Sequence, residues 1–267
     1  MIALTAEPER VATPGFDTSA DEFRKMRDFE SWYWWYIGQR NNLLSAIAQL
    51  GIPPGAVVLD AGCGTGLNLV EIERRFGYVG WGVDASRHAS GFWKTQERTR
   101  RMVGSINELP FSECYFDLIV SVDVLGCSGV DIRRTLQEFN RTLKPGGAMV
   151  LLVPAYQWML SRHDRAVGSA HRFFRRELLS LVRNAGFDVD SCSYRFAITF
   201  PVVAAMRLLR KSSGEGAGEQ AKSDLFCIPR WLNTALRGLI SIEHAICKFV
   251  SPPFGSTIML TARRPAR

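Results

Sequence analysis

The sequence predicts an α/β fold, an open parallel sheet with helices on both faces, and three observations lead to it. Short apolar runs alternate with helical patterns between residues 56 and 153, as in parallel strands joined by crossover helices. The first run ends in a turn with glycines at 62, 64 and 66. The second run ends at Asp84, about 20 residues further on, which is the spacing of a nucleotide-sized site at the carboxyl ends of parallel strands.

The composition is that of an ordinary globular chain. Its 267 residues are 46% hydrophobic and 22% charged, enough apolar material for one large domain with a sizeable core. Six cysteines occur without a C-x-x-C pair, so we expect free thiols in a reducing cytoplasm and no metal site. Neither a secretory signal nor an apolar run of membrane-spanning length is visible, which also favours a cytoplasmic location.

Positive charge is in excess but scattered along the chain. The formal net charge is +7, and the arginines fall into separate groups at 98–101, 172–176 and 263–267. A nucleic-acid interface usually shows a clustered basic face, so solvated helix surfaces are the favoured interpretation. We therefore expect a protein without a nucleic-acid partner.

A helical segment precedes the first strand. Its pattern begins at Asp21, includes five consecutive aromatic residues at 32–36 and ends before Gly51. Five adjacent aromatics occupy at least two faces of a helix. Packing onto the main domain and closure over the site as an aromatic lid are both open interpretations. We expect residues 1–50 to form an N-terminal helical lid and residues 51–267 to form the main domain.

Strands and helices follow one another in strict alternation in the first half of the main domain. The glycines after the first strand allow close backbone approach and positive φ angles. We predict strands at 56–59, 79–84, 102–105, 116–122 and 148–153, and helices at 67–76, 86–99 and 131–143.

The second half has a different character. The polar stretch 154–174 is too long for a simple connection and is predicted to be functional. Two apolar segments, 196–209 and 231–250, flank a flexible-looking loop at 211–224 and form a predicted helical insertion at 197–254. A helix at 175–185, a strand at 187–194 and a closing strand at 256–262 complete the main domain.

Glu243 interrupts the apolar face of the last predicted helix. Leucine, isoleucine and valine recur around it at three- and four-residue spacing, which places the carboxylate on the face that packs inward. A buried carboxylate needs a partner. We expect an ion pair with Arg195 or Arg207, and contact with a substrate is the alternative.

Five ordered motifs between residues 56 and 153 carry a resemblance to a known family. They are Val58-Leu-Asp-Ala-Gly-Cys-Gly-Thr-Gly66, Asp84, Leu109-Pro-Phe111, Phe116-Asp-Leu-Ile-Val-Ser-Val-Asp-Val-Leu125 and Leu143-Lys-Pro-Gly-Gly147. In this order and spacing they resemble the class I S-adenosylmethionine-dependent methyltransferases of the ubiquinone/menaquinone type. The resemblance implies a Rossmann-like seven-stranded sheet with the last strand antiparallel, and S-adenosylmethionine as the cofactor.

The glycine spacing helps to choose between cofactors. G-x-G-x-G differs from the dinucleotide fingerprint G-x-G-x-x-G, and Asp60 before the turn suits a ligand with an ammonium group, so an NAD site is the weaker interpretation. By resemblance, Asp60 and the glycines line the methionine part of the cofactor, and Asp84 binds the ribose. Asp123 would face the sulfonium, the alternatives being a helix N-cap and a structural acid. The predicted cofactor-binding residues are Tyr36, Arg40, Asp60, Ala61, Gly62, Gly64, Asp84, Ala85, Ser86, Ser105, Ile106, Val122 and Asp123.

Two positions depart from the family pattern. Ser105 stands where the family usually has an aspartate, which puts the adenine contact in question. Leu125-Gly-Cys127 stands where the family often has Leu-Glu-His, so a role for histidine there is absent.

A narrower resemblance concerns the acceptor. Trp34-Trp-Tyr-x-Gly-x-Arg40 and the run from Pro154 to His163-Asp164 are similar to a bacterial subgroup linked with glycolipid, polyprenol-sugar or secondary-metabolite pathways. An oxygen acceptor must lose a proton, and histidine is the usual base. We predict His163 as the base, Asp164 as its orienter or as a partner of Arg172, and His171 as a further catalytic candidate. The alternative is that these residues only order the loop.

Together these features predict methyl transfer to a small or lipid-linked acceptor, on oxygen in preference to nitrogen or carbon. Cyclisation, aminocarboxypropyl transfer and a non-catalytic binding module are the alternatives. The apolar segments 196–209 and 231–250 could form a substrate cap, a peripheral membrane contact or a dimer surface. The chain is expected to be a monomer or a homodimer.

Overall fold

A computed structural model of the chain describes residues 19–93, 100–212 and 228–266. Its centre is a seven-stranded sheet in the order β3-β2-β1-β4-β5-β7-β6. The strand β7 runs antiparallel to both of its neighbours, so the predicted Rossmann-like sheet with an antiparallel last strand is confirmed. The strands are β1 Val57–Ala61, β2 Val79–Asp84, β3 Arg100–Val103, β4 Phe116–Val122, β5 Leu143–Pro154, β6 Asp188–Arg195 and β7 Thr257–Arg263.

Helices cover both faces of the sheet, as predicted. One buried cluster contains Phe116, Phe139 and Phe173, and a second contains Leu43 and Ile47 against β1, β4 and β5. The helices are α1 Ala20–Phe29, α2 Trp34–Gln49, α3 Leu67–Phe76, α4 Arg87–Ser90, α5 Ile132–Thr142, α6 Arg162–Ala166, α7 Arg175–Asn184, α8 Phe200–Ser212 and α9 Arg230–Ile246.

The strand order reverses at β1, which pairs with β2 on one side and β4 on the other. Connections from these strands leave in opposite directions, and this opens a crevice at their carboxyl ends. The glycine turn after β1, the acid that ends β2 and the segment after β4 all border this crevice. The sheet topology therefore assembles the predicted site from three separate parts of the chain.

The N-terminal segment divides into two helices with different positions. The predicted continuous helix is wrong, because the chain turns at residues 30–33 and the Trp32 indole donates to the Asp28 carbonyl there. In α2, Leu43 and Ile47 are fully buried, so this helix belongs to the core. In contrast, α1 lies beside α4 and the glycine turn. The division of the chain at residue 50 stays a prediction.

Several predicted boundaries shift in the structure. The third strand occupies 100–103 because it pairs with Trp81–Asp84 in that register, and β5 begins at Leu143. Of the helix predicted at 86–99, α4 is a single turn, and 94–99 lie outside the described residues. The predicted loop 211–224 and the start of the predicted lid also fall largely outside them. The stretch 154–174 contains a 3-10 turn, Gln157–Met159, and α6.

The insertion is fastened to the rest of the fold by buried polar side chains. Glu243 is buried and accepts the backbone N–H groups of Ala197 and Ile198, both at 2.9 Å, so the predicted ion pair with an arginine is replaced by a backbone cap. Asn233 accepts from the backbone N–H of Trp34 at 2.9 Å and donates to the carbonyl of Trp32 at 3.0 Å. These bonds hold α9 against the N-terminal segment.

Candidate functional site

The glycine turn after β1 forms one wall of the site. Gly62 has φ 86°, and a Cβ atom there would lie 2.2 Å from Val124 Cγ2. Only glycine tolerates both the left-handed backbone and this contact. The N–H groups of Gly62 and Cys63 donate to the carbonyl of Val83 at 2.7 and 3.1 Å. The turn is therefore fixed against both β2 and the segment after β4.

Asp84 at the end of β2 organises the turn and the next loop together. Its Oδ2 accepts from the backbone N–H of Gly64 at 2.8 Å, and its Oδ1 accepts from the N–H of Ser86 at 2.9 Å. The Ser86 hydroxyl in turn accepts from the N–H of His88, while Ala85 is exposed beside it. The predicted ribose-binding acid thus lies next to the predicted methionine-binding turn.

Asp60 is a buried carboxylate at the floor of the crevice. It is 1% exposed, and its Oδ2 has no hydrogen-bond partner among the described residues. Burial, reinforced by the negative charge of Asp84, raises the pKa of Asp60 to about 7, and Arg101 opposes the shift. A buried acceptor without a donor is costly, so a cationic donor such as an ammonium group fits this position.

The helix α1 lies over the glycine turn. Around Gly64, the nearest side-chain atoms to an added Cβ are Met26 Sδ at 3.4 Å and Phe23 Cε1 at 3.9 Å. Beyond the end of α1, Glu30 accepts a hydrogen bond from the Thr65 hydroxyl. Burial raises the pKa of Glu30, while Thr65 and nearby arginines oppose the change. The N-terminal segment therefore touches the glycine turn directly, and its role as a lid stays a prediction.

Tyr36 and Arg40 extend this wall from α2. Burial raises the pKa of Tyr36, and the charges of Glu30 and Asp123 add to the effect. Arg40 donates to the carbonyl of Glu30 at 2.8 Å and to Asn68 Oδ1 at 3.3 Å. Arg40 thus connects the end of α1 to the helix that follows the glycine turn.

The predicted adenine-binding residues lie after β3. Ser105 is 4% exposed and Ile106 is 5% exposed. The Ser105 hydroxyl accepts from the backbone N–H of Asn107 at 3.2 Å. Serine therefore orders this turn, and the aspartate usual at this position is absent.

The segment after β4 carries Asp123 in an unusual conformation. Its φ is 59°, which non-glycine residues rarely adopt, so Asp123 is not a helix N-cap. Its Oδ2 accepts from Gln39 Nε2 at 2.9 Å. Burial raises the pKa of Asp123 to about 6, against the bond from Gln39 and the charge of Arg172. Val122 precedes it at the end of the strand.

The polar stretch 154–174, called the acceptor-side loop after its predicted role, packs directly against this segment. The carbonyl of Gly126 accepts from the N–H groups of Ala170 and His171, both at 2.9 Å. A Cβ atom at Gly126 would lie 2.2 Å from the carbonyl oxygen of His171. Glycine replaces the family's glutamate here because the loop approaches too closely for a side chain.

Asp164 holds that loop together. Its Oδ1 accepts from Arg172 Nε at 3.0 Å and Nη2 at 2.7 Å, and its Oδ2 accepts from Arg207 Nη1 at 3.0 Å. Ser161 donates two further bonds to Oδ2. Burial alone would raise the pKa of Asp164, but the two arginines lower it below its usual value. The predicted pairing with Arg172 is confirmed.

The two predicted catalytic histidines lie at different positions within the acceptor-side loop. His163 is half-buried on α6. His171 Nε2 lies 2.8 Å from Glu177 Oε1 at the start of α7, and its ring packs edge-on against Phe173. The roles of His163 and His171 in catalysis stay predictions.

Two residues of the site escaped prediction. Gln39 and Glu30 contact Asp123 and Thr65 from the N-terminal segment. Their sequence neighbours show only that a helix passes nearby, whereas the contacts depend on how that helix docks.

No group of His, Cys, Asp or Glu that could hold a metal ion occurs among the described residues. None of the helices in the described ranges has both the length and the apolar character needed to cross a membrane.

Comparison with known proteins identifies a family. Residues 34–191 match the family model described as a methyltransferase domain. The Bos taurus U6 snRNA (guanine-N(2))-methyltransferase THUMPD2 is 35% identical over 128 residues, 43% of this chain and 26% of that protein. Cycloartenol-C-24-methyltransferase 1 of Oryza sativa subsp. japonica is 26% identical over 163 residues, 53% of this chain and 46% of that protein. The chain spans less than half the length of these relatives.

These relatives correct one prediction. The exclusion of a nucleic-acid partner is wrong, since a protein named for methylating U6 snRNA matches residues of this chain at 35% identity. The physical reason is that phosphate contacts can come from several separate elements. Scattered arginines therefore do not exclude a nucleic acid.

Two solved structures share the fold. A chain of the complex that contains the Haloferax volcanii Trm112 methyltransferase activator superposes with a TM-score of 0.59 at 20% identity, covering 92% of this chain and 96% of that one. Geranyl diphosphate C-methyltransferase from Streptomyces coelicolor A3(2), in a complex with Mg2+, geranyl diphosphate and S-adenosyl-L-homocysteine, gives a TM-score of 0.53 at 20% identity, with coverage of 83% and 79%. These likenesses establish the fold.

Proposed function

The chain belongs to the methyltransferase-domain family with S-adenosylmethionine as cofactor, and from this premise we propose that it methylates a hydroxyl group of a small or lipid-linked acceptor. The observation that carries the methyl-transfer part of the proposal is the set of acids on one crevice, Asp60, Asp84 and Asp123. A cofactor with an ammonium group and a sulfonium centre suits such a set. Asp60 Oδ2, buried and without a partner among the described residues, marks the position for the ammonium.

The main predicted cofactor residues have defined tasks in this proposal. The turn at Gly62 and Gly64 holds the methionine part, Asp84 accepts from the ribose, and Ser105 and Ile106 border the adenine. The cofactor supplies an activated methyl group, so the protein must mainly align the acceptor. Tyr36 and Arg40 shape the wall through which α1 and α2 meet the turn.

The insertion supports an acceptor with a large apolar part. Most of the large apolar side chains that remain exposed lie between residues 198 and 254, including Val202, Trp231 and Phe249. Arg207 ties α8 to Asp164 in the acceptor-side loop. An acceptor that enters beside this loop would therefore contact apolar surface of the insertion. Glycolipid or secondary-metabolite chemistry, and membership of a bacterial subgroup, remain part of the proposal.

A base in an RNA is the second candidate acceptor. The match to the bovine U6 snRNA methyltransferase favours it. That match spans 43% of this chain and 26% of the bovine protein, so the product itself must decide between RNA and a lipid-linked hydroxyl.

Calorimetry tests the cofactor assignment first. We expect S-adenosylmethionine to bind the full chain, and Asp84→Ala to weaken binding about 100-fold, because the change removes the carboxylate that orders Gly64 and Ser86. Asp188→Ala, which removes an exposed carboxylate at the start of β6, is the control and should bind normally. Equal affinities for wild type and Asp84→Ala would contradict the assignment.

Product analysis tests the acceptor. With methyl-labelled cofactor and separated lipid, small-molecule and RNA fractions from the source cells, label should enter the lipid or small-molecule fraction in an alkali-stable ether. Label in RNA would instead support the second candidate. Methylthioadenosine in place of S-adenosylhomocysteine would exclude methyl transfer and indicate aminocarboxypropyl chemistry. His163→Ala should leave cofactor binding intact and lower turnover if His163 is the base.

A further inference from the structure

The helix α9 carries apolar side chains on two opposite faces. Its inner face packs against α2, where Ile240 lies next to Gly38 and Glu243 is buried. Its outer face repeats apolar residues at steps of three and four, the spacing of side chains that share one side of a helix. These outer residues, called the apolar row, are Trp231, Ala235, Leu239, Ile242, Ile246 and Phe249. The row extends past the last helical residue, because the N–H of Val250 donates to the carbonyl of Ile246 at 3.1 Å.

The apolar row is exposed along its whole length. Trp231 at one end is 71% exposed, and Phe249 at the other end is 89% exposed. Leu239, Ile242 and Ile246 between them are exposed as well. Single exposed apolar residues are common on protein surfaces, but a contiguous set of this kind marks an interaction surface. The partner of α9 must therefore offer an apolar surface.

A row of positive charge runs along the side of the same helix. Arg230, Arg237 and Lys248 are exposed, and steps of seven and eleven residues align them along the helix. We call these three residues the basic row. Between residues 228 and 254 the sequence has a single acid, Glu243, which is buried and serves as a backbone cap. The other acids of the insertion, at 215, 219 and 224, lie outside the described residues.

Positive charge also gathers at the carboxyl end of α9. Lys248 lines a small pocket there together with Arg195 and His244. Burial lowers the pKa of His244, and the charges of Lys248 and Arg195 lower it further. This end of the helix therefore has a positive potential close to the exposed ring of Phe249.

A lipid bilayer is the partner that offers both chemistries at one surface. Its acyl chains suit the apolar row, and anionic headgroups in the same plane suit the basic row. A nucleic acid has phosphates for the basic row but no matching surface for Leu239, Ile242 and Ile246. A second copy of this chain would bring two basic rows together, with no exposed acid on either α9 to separate them. Charge and apolar surface together therefore favour the bilayer.

We propose that α9 is a docking site for an anionic lipid surface, with the apolar row in the interface and the basic row on the lipid phosphates. The helix lies in the plane of the surface, since helices that bind in this way bury one apolar side at the depth of the headgroups. Trp231 and Phe249 mark its two ends, and aromatic side chains are typical of the membrane interface. This inference does not depend on which acceptor is methylated.

Co-sedimentation of the full chain with sucrose-loaded vesicles tests the docking site. One set of vesicles contains phosphatidylcholine with about one-quarter phosphatidylglycerol, and the other contains phosphatidylcholine alone. We expect binding to the anionic set to be about 100-fold tighter, because each of the three basic residues contributes about fivefold near an anionic surface. High salt should weaken this preference. Equal binding to both sets, or binding to neither at millimolar lipid, would overturn the inference.

A charge placed in the apolar row tests its insertion. Ile242→Glu should weaken binding to the anionic vesicles by at least about tenfold, because a carboxylate replaces an inserted apolar side chain. Val79→Glu, at an exposed apolar residue on β2, is the matched control and should bind like the wild type. Unchanged thermal unfolding of both variants shows that the fold is intact. An equal loss in Val79→Glu would mean that the row itself is not inserted.

Glutamine substitutions test the basic row. The triple variant Arg230→Gln, Arg237→Gln, Lys248→Gln should lose the preference for anionic vesicles. The matched control has the same net charge but changes exposed arginines on α3 and α5, and should keep the preference. Its substitutions are Arg74→Gln, Arg75→Gln and Arg133→Gln. An equal loss in the two triple variants would mean that net charge, and not the basic row, attracts the lipid.

Fluorescence quenching locates the helix in the bilayer. Vesicles with brominated acyl chains should quench the tryptophan fluorescence of the wild type more than that of Trp231→Phe, because Trp231 lies in the interface. Equal quenching of the two proteins would contradict insertion of the apolar row.

Two outcomes would assign the surface to another partner. A dimer that Ile242→Glu dissociates, found by sedimentation equilibrium without any vesicle binding, would assign the apolar row to a second copy of this chain. Binding of an RNA oligonucleotide that is lost in the triple variant of α9, again without vesicle binding, would assign the basic row to a nucleic acid. Vesicle binding requires no cofactor, so failure of S-adenosylmethionine to bind would contradict the proposed function alone.

Discussion

The cofactor side and the acceptor side of the crevice are built on different principles. On the cofactor side, Asp84 accepts from the backbone N–H groups of Gly64 and Ser86, which lie 20 and two residues away within the first two strand–loop units. On the acceptor side, Asp164 is bonded by Arg172 from within the same loop, but the insertion is attached across 43 and 199 residues, by Arg207 to Asp164 and by Asn233 to Trp34. The cofactor side can therefore be recognised from a sequence motif, whereas the acceptor side depends on how distant segments dock.

The two sides also differ in how a buried carboxylate is paired. Asp60 lies in the crevice with an oxygen that has no hydrogen-bond partner among the described residues. Asp164 on the acceptor side is satisfied by two arginines and Ser161. In the proposed function the first acid binds the ligand, whereas the second holds the loop, although both are buried carboxylates.

The largest effect on stability is expected when the Asp164 carboxylate is removed. Asp164→Ala leaves Arg172 buried without its carboxylate, and breaking a buried pair in this way costs about 3–5 kcal/mol of the free energy of unfolding. Urea denaturation measures the loss. Asp131→Ala, which removes the N-cap of α5, is a control that should cost only ~1 kcal/mol.

A loss no greater than that of the control would show that the loop is ordered by something other than this acid. The pH gives a second check. The arginines lower the pKa of Asp164 in the folded protein, so its contribution is present above the unfolded pKa and disappears as the pH falls through the folded value. Asp164→Asn should lose this part of the acid sensitivity.

The sequence predicts the cofactor side of the fold better than the acceptor side. Alternating patterns and the glycine turn were sufficient for the sheet, for β1 and for Asp84, because the signals lie within a few residues of the structure they specify. Glu243 shows the limit: its position on an apolar face predicted a partner, but the partner is backbone at 197 and 198. Gln39 gave no signal, because a polar residue on a helix usually faces solvent and only the docking of α2 buries it.

A glycine substitution probes the cofactor side with an intermediate effect. Gly62→Ala places a methyl group 2.2 Å from Val124 Cγ2 on a backbone with φ 86°. Overpacking and the left-handed conformation together should cost ~2–3 kcal/mol of stability and weaken cofactor binding. Thermal unfolding and calorimetry measure the two effects. The double variant Gly62→Ala, Val124→Ala should recover the part due to overpacking, and no recovery would assign the whole cost to the backbone.

The smallest effect concerns the charge of Asp60. Burial and the negative charge of Asp84 raise its folded pKa to about 7 against Arg101, so the free folded protein binds more protons than the unfolded chain between pH ~4 and 7. Stability of the free protein should therefore decline as the pH rises through this window. A cationic cofactor favours the carboxylate, so its affinity should rise with pH by up to about tenfold per unit below pH 7, or ~1.4 kcal/mol.

Calorimetry in buffers of different ionisation enthalpy measures the proton released when the cofactor binds to Asp60. In Asp60→Asn the release and the pH dependence of affinity should both disappear, whereas Asp164→Asn on the acceptor side should keep them. The reverse pattern would mean that the buried charge of the acceptor side, and not that of the cofactor side, responds to the ligand. Because the two acids share burial and differ in their partners, this pair of variants tests whether partnership decides which buried carboxylate binds and which one supports the fold.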